Sequence, residues 1–330
     1  MESFGTDRVS VMQLRSPTDS STTSTALTFP HAEKLGLTEY GRLSHQQSLD
    51  YHNNKLAWDH ILSLEAILMP KGVGPFSKGP AFGVIKIDNA PYGCTRNEVI
   101  SVLTKDVILA QYPQPSAYYG VYFPLDMQNQ RATGVIFVEV QDMAEAVRQV
   151  RIFMGNKEQG RRRRIGNREV SLTVSDQASL MKVVFDRTSC VKWDDSGRPI
   201  VYPPADASLD GFKGFLHGED LKTLVSMAQG TAKYARTQVA KEYPQRPYEA
   251  LLAILRKYPC HAWEIVPFHE CNLLYDFAVE MASALRQQIG TNHQWAHVLH
   301  RGLLNEIISA VCAFHGFSTA AKQQFAARFG

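Results

Sequence analysis

Two helix-start signals, 47 residues apart, most constrain how this chain folds. Thr95-Arg96-Asn97-Glu98 is a capping box: the Thr hydroxyl accepts from the Glu98 backbone N–H and the Glu carboxylate reaches back. Asp142-Met143-Ala144-Glu145 reads as a second one. Each is followed by apolar residues at helical spacing, Val99, Val102 and Leu103 in one case and Ala146, Val147 and Val150 in the other. Short β runs flank both. Gly83 to Asp88 precedes the first helix. Tyr118 to Phe123 and Thr133 to Val140 lie between the two, separated by the polar stretch Pro124 to Arg131. Glu169 to Val174 follows the second.

The order is β-α-β-β-α-β within residues 82–175. That predicts an α+β fold, a ferredoxin-like sandwich with a four-stranded antiparallel sheet and two helices on one face. Because strand side chains alternate, Ile85, Ile87, Ile136 and Val138 are expected to face those helices, and Lys86, Val135 and Phe137 the other side.

The rest of the chain divides by composition. Residues 1–33 are Ser/Thr-rich, centred on Ser20 to Thr25, and lack the apolar surface needed to offset ordering entropy, so a disordered tail is expected. Residues 34–81 read as a helix, with Ser48 as N-cap and Ile61, Leu62, Leu64 and Leu68 on its face, followed by the Pro/Gly linker Pro70 to Pro80. Residues 176–208 read as an irregular linker or a hairpin around Asp194-Asp195-Ser196-Gly197. Residues 209–330 carry repeated i, i+3, i+4, i+7 apolar patterns: Tyr248, Leu251, Leu252, Leu255; Leu273 to Leu285; and Leu303 to Val311. They predict a mainly α-helical C-terminal domain of four to six helices, with a last helix after Ser318.

Charge is local. Seven cations and one acid between residues 151 and 168 give that segment +6, against +3 for the whole chain, so the remainder is −3. The centre of the segment is Arg161, Arg162, Arg163 and Arg164. Such a run fits a phosphate-binding edge or a nuclear import signal.

Several classes are set aside. No apolar run approaches the roughly 18 residues of a membrane helix. Five cysteines do not make a disulfide framework, and Met1-Glu2-Ser3-Phe4-Gly5 lacks the order of a signal peptide, so nucleus or cytoplasm is expected. Cys260-His261 with His269 and Cys271 matches no zinc spacing, and His293, His297 and His300, expected on one helical face, have no catalytic carboxylate beside them. No nucleophile triad, phosphate-binding glycine loop or carboxylate pair is visible. Neither cofactor nor metal is expected, and the chain is not expected to be an enzyme.

The β-α-β-β-α-β segment resembles an RNA-recognition motif. Thr133 to Val140 matches the third-strand signature at Gly134, Phe137 and Val138, with Val135 and Val140 in place of aromatic residues. In the first strand, Lys86 stands where an aromatic residue usually stacks a base. The narrower resemblance is to the quasi-RNA-recognition motifs of heterogeneous nuclear ribonucleoproteins F and H. It rests on Val84-Ile85-Lys86-Ile87, Ala90-Pro91-Tyr92-Gly93-Cys94-Thr95, Gly120-Val121-Tyr122-Phe123 and Ile165-Gly166-Asn167-Arg168. Asp88 and Glu169 depart from that pattern.

The resemblance implies single-stranded RNA binding through loops at the sheet edge, and a post-transcriptional role. The residues it nominates, with the basic run, are Lys86, Tyr92, Tyr122, Phe123, Arg131, Phe137, Arg161, Arg162, Arg163, Arg164 and Arg168. Phe137 is a stacking platform if the sheet is open, and a packed strand residue if a terminal helix covers it. The other reading is a protein-interaction module on the same fold that has lost RNA binding. In the RNA-binding reading the helical domain is the expected surface for a protein partner, and no membrane is expected to be involved.

Overall fold

β1 (Gly83–Asp88) runs through the middle of a four-stranded antiparallel sheet. It pairs on one side with β5 (Ile136–Val140), placing Lys86 opposite Phe137, and on the other with β8 (Ser171–Ser175), placing Lys86 opposite Thr173. β2 (Val121–Tyr122) pairs with β5, so the sheet order is β2-β5-β1-β8. The computed structural model describes residues 82–110, 120–129, 131–160, 162–204, 211–230, 242–262, 264–291 and 293–330, all within one compact unit. The tail, the helix and the linker expected before residue 82 lie outside the described residues, as do Tyr118, Tyr119 and Arg161.

α1 (Arg96–Val102) and α2 (Met143–Glu158) cover one face of this sheet. Both bonds of the expected capping box at Thr95 are present. At Asp142 the N-cap bond to the Glu145 N–H forms at 2.8 Å. The Glu145 carboxylate is drawn elsewhere, to the Ile108 N–H at 3.1 Å and to Arg148. The core between sheet and helices holds Ile85, Ile87, Ile136 and Val138, the set that strand alternation assigns to it, with Val99, Ala146 and Phe153 from the helices. Two small hairpins interrupt the connections: β3 (Leu125–Asp126) with β4 (Arg131–Ala132), and β6 (Arg164–Ile165) with β7 (Arg168–Glu169).

The segment after β8 is ordered. Asp176 caps α3 (Gln177–Val184), and β9 (Val191–Trp193) pairs with β10 (Pro199–Val201) in an antiparallel hairpin. The helical region contains α4 (Gly218–Ala228), α5 (Arg246–Lys257), α6 (Phe268–Gln288), α7 (Arg301–Ala313) and α8 (Thr319–Phe329). The α5 pattern is fully used: Tyr248, Leu251, Leu252 and Leu255 are all buried, and Pro247 sits in the first turn, where its missing N–H costs nothing. His300 is the N-cap of α7 and His293 belongs to a 3-10 turn, so the three histidines expected on one helix do not share one.

The second face of the sheet is not open. α3 and α5 lie across it, and Val84, Tyr122, Leu125 and Phe137 join one continuous apolar core with Leu180, Met181, Leu251 and Leu252. Sheet and helical region therefore share a hydrophobic core. Among the described residues, no helix is long and apolar enough to cross a membrane.

Candidate functional site

What stays accessible is the end of the sheet where β1 leaves it. Asn89 has a φ of 62°, a left-handed conformation that Asn tolerates, and its side-chain amide donates to the Glu169 carbonyl at 2.8 Å. The chain then turns through Pro91, Tyr92 and Gly93 into the Thr95 cap. The Ala90 N–H donates to the Gly134 carbonyl at 2.9 Å, tying this loop to the start of β5. The Tyr92 ring is 44% exposed, and the Arg168 guanidinium stands 5.3 Å from its centroid. At that distance a cation is attracted by the ring face.

Arg168 is presented by the β6–β7 hairpin, whose turn runs through Gly166 with a φ of 53°. The chain leading into the hairpin splits the basic run. Arg162, Arg164 and Arg168 are exposed. Arg163 points inward and donates to the carbonyls of Val102 at 2.6 Å and Leu103 at 2.9 Å, capping the C-terminal end of α1. Arg162 reaches Glu169 at 3.1 Å and Lys86 reaches Asp88 at 2.9 Å. The two acids that depart from the family pattern thus each take one cation. Arg164 and Arg168 have no carboxylate partner among the described residues. The result is an exposed aromatic ring beside a net positive hairpin, the pairing that single-stranded nucleic acids need for stacking and phosphate contact.

The remaining nominated residues are placed otherwise. Phe137 is 1% exposed beneath the helical region, and no base can stack on it in this conformation. Its side of the sheet is as expected; what covers that side is the correction. Tyr122 is equally buried, with its hydroxyl donating to Glu139 at 2.6 Å. Phe123 is buried with the Arg246 guanidinium 3.7 Å from its ring centroid. Arg131 is exposed on the β3–β4 hairpin, opposite Asp126.

Sequence reasoning passed over Arg246, Tyr243 and Lys257. Arg246 donates to the Tyr92 carbonyl at 3.1 and 3.3 Å, and to the Cys94 carbonyl. Burial pushes the Cys94 thiol up to about 11 despite the nearby Arg246 charge, and so disfavours the thiolate. The only signal was an arginine in the first turn of a strongly amphipathic helix, where a cation has no dipole advantage. An apolar pocket also opens beside β2, between Phe123, Leu125, Val184, Phe185 and Leu221, with the exposed Asp186 among its lining residues. Desolvation, and then Asp220, raise the Asp186 carboxyl above its ordinary value.

Residues 81–195 match a family model described as "Domain of unknown function (DUF8400)", and residues 212–330 match one described as "Domain of unknown function (DUF8399)". No curated protein matches the chain. Among solved structures the chain is similar to the crystal structure of the Glorund qRRM2 domain. Identity is 20% over 31% of this chain and 98% of that one, with a TM-score of 0.24.

Proposed function

We propose that this chain is a non-enzymatic, single-stranded RNA-binding protein of the nucleus or cytoplasm, built on a ferredoxin-like RNA-recognition-motif domain and acting in post-transcriptional regulation. The observation that carries this reading is the exposed Tyr92 ring beneath Arg168, on a hairpin that also exposes Arg162 and Arg164. The sheet order β2-β5-β1-β8, with both helices on one face, supports the domain type. Contact falls to the loops at the sheet end because the sheet face itself is taken up by the helical region.

The covered face also supports the second reading, a protein-interaction module without RNA binding. Crosslinking in cells, followed by sequencing of bound RNA, separates the two. Recovery above an uncrosslinked control, lost in a Tyr92→Ala, Arg168→Ala variant, supports the RNA reading. Recovery equal to the control leaves the interaction module.

A further inference from the structure

The helical region reaches the Tyr92 loop from beneath at two points. The first is Arg246, which is 1% exposed. Its Nη2 and Nε both donate to the Tyr92 carbonyl, at 3.1 and 3.3 Å, and Nη2 also donates to the Cys94 carbonyl. Glu249 pairs with the same guanidinium, and the Phe123 ring lies 3.7 Å from it. A buried cation carries a desolvation cost unless its donors are matched, and here they are matched mostly by carbonyls of one loop. The second point is Tyr243. A Cβ added at Gly93 would stand 1.7 Å from the far end of the Tyr243 ring, so the bare glycine lets that ring lie directly against the loop, and a side chain at position 93 has to push the ring aside. Both residues belong to the helical region, about 150 residues further along the chain.

We propose that Arg246 and Tyr243 are positioning residues that set the loop carrying Tyr92 in its RNA-reading conformation, so that the helical region is part of the reading site. This rests on the reading of Tyr92 as an RNA contact. The loop has few hydrogen bonds of its own: Ala90 is tied to Gly134, the Cys94 N–H donates to the Pro91 carbonyl at 3.3 Å, and Thr95 is tied to Glu98. Between them the Tyr92 and Cys94 carbonyls are held by Arg246. A planar fork fixes two acceptors at once, which a lysine ammonium on a flexible stem does not.

The test uses the full chain with Arg246→Lys, Gly93→Ala, and Gly93→Ala combined with Tyr243→Ala. Hydrogen exchange at the amides of residues 92–95 reports loop order without RNA. Anisotropy with labelled oligo(A), oligo(C), oligo(U) and a G-tract RNA reports preference, and thermal melts report global stability. Arg246→Lys and Gly93→Ala are expected to speed exchange at these amides. They should also lower the preference among RNAs on the order of tenfold, the scale of one stacked base. The dependence of affinity on salt should stay unchanged, because the arginine hairpin is untouched. Removing the Tyr243 ring is expected to restore the preference of the Gly93→Ala chain. If Arg246→Lys fails to fold, the Gly93 pair still decides the matter, because it changes the loop side of the contact.

Unchanged exchange at residues 92–95 overturns the positioning role whatever the RNA does. Faster exchange with unchanged preference overturns the link to reading. A wild-type chain with no affinity for any of the RNAs removes the RNA reading itself and the proposal with it, and is told apart because exchange still responds to the substitutions.

Discussion

Lys257, the last residue of α5, forms an ion pair with Glu139 near the C-terminal end of β5, where the carboxylate is wholly buried. The pair is knit into a wider cluster. Tyr122 donates to one Glu139 oxygen at 2.6 Å, Gln177 donates to the other at 2.6 Å, and Lys257 also donates to the Gln177 side-chain amide oxygen at 3.1 Å. A polar cluster therefore sits inside the apolar contact between sheet and helices. Its value is in specifying one docking geometry, because Lys257 meets Glu139 and Gln177 only where α5 lies across the sheet.

Removing one charge should be costly. Lys257→Met leaves the Glu139 carboxylate buried without its cation, and a loss of about 3–5 kcal/mol is expected. Adding Glu139→Gln should recover much of it, because the amide carries no charge to desolvate. Urea unfolding of the single and double variants measures both. A double variant no more stable than Lys257→Met would show that the charge is not what the lysine answers.

Phe137 is expected to behave as core. Phe137→Ala removes a ring buried in the core that the sheet shares with the helical region, and truncations of this kind cost about 3–5 kcal/mol. RNA affinity, measured where the variant is still folded, should be unchanged. A selective loss of affinity with little change in stability would mean that the helical region leaves the sheet when RNA binds.

The sheet was legible because its signals are local: strand alternation, a capping box at Thr95 and a side-chain cap at Asp142. The assignment of Ile85, Ile87, Ile136 and Val138 to one side follows from alternation alone. What covers the other side is set by pairings such as Glu139 with Lys257, which lie 118 residues apart and leave no periodic trace. A glutamate on a strand reads as solvent-facing until its partner is known. Likewise four successive arginines look equivalent in sequence. Only the hairpin geometry turns Arg163 into a helix cap and leaves Arg162 and Arg164 outside.

Asp186 offers a test by pH. Desolvation, followed by the Asp220 charge, raises its carboxyl pKa above the ordinary 3.8, so folding favours the neutral acid. Stability is then lost as pH rises through the window that starts at 3.8 and ends at the raised folded value. Asp186→Asn should stabilise the chain at neutral pH and give no gain below 3.8. Melting temperatures of both proteins across that range decide it. An equal gain at both ends would point to packing rather than charge. The effect should be small, because Asp186 is exposed and water screens its charge.

The basic run should separate into a stability part and a binding part. Arg163→Ala removes two charge-assisted bonds to the end of α1, at 2.6 and 2.9 Å, and is expected to cost about 1.5–3 kcal/mol. It should leave the salt dependence of RNA binding almost untouched, because its guanidinium is already committed to carbonyls. Arg162, Arg164 and Arg168 are exposed and able to meet phosphates. Each phosphate contact to a single strand contributes about 0.7 to the slope of log affinity against log salt, so replacing all three by Ala should lower that slope by up to about 2. Arg162 is partly engaged by Glu169, which places it last among the three. The loss from Arg162 and Arg164 should be alike for every RNA sequence, because phosphates carry no sequence information. Arg168 should differ, since it also stands over Tyr92 and its loss frees the ring. Arg168→Ala is therefore expected to reduce both the slope and the preference, whereas Tyr92→Ala should reduce preference alone. Salt titrations of each variant against a preferred and a scrambled RNA measure the two effects separately. A slope that survives the triple substitution would make the run an import signal rather than an RNA contact.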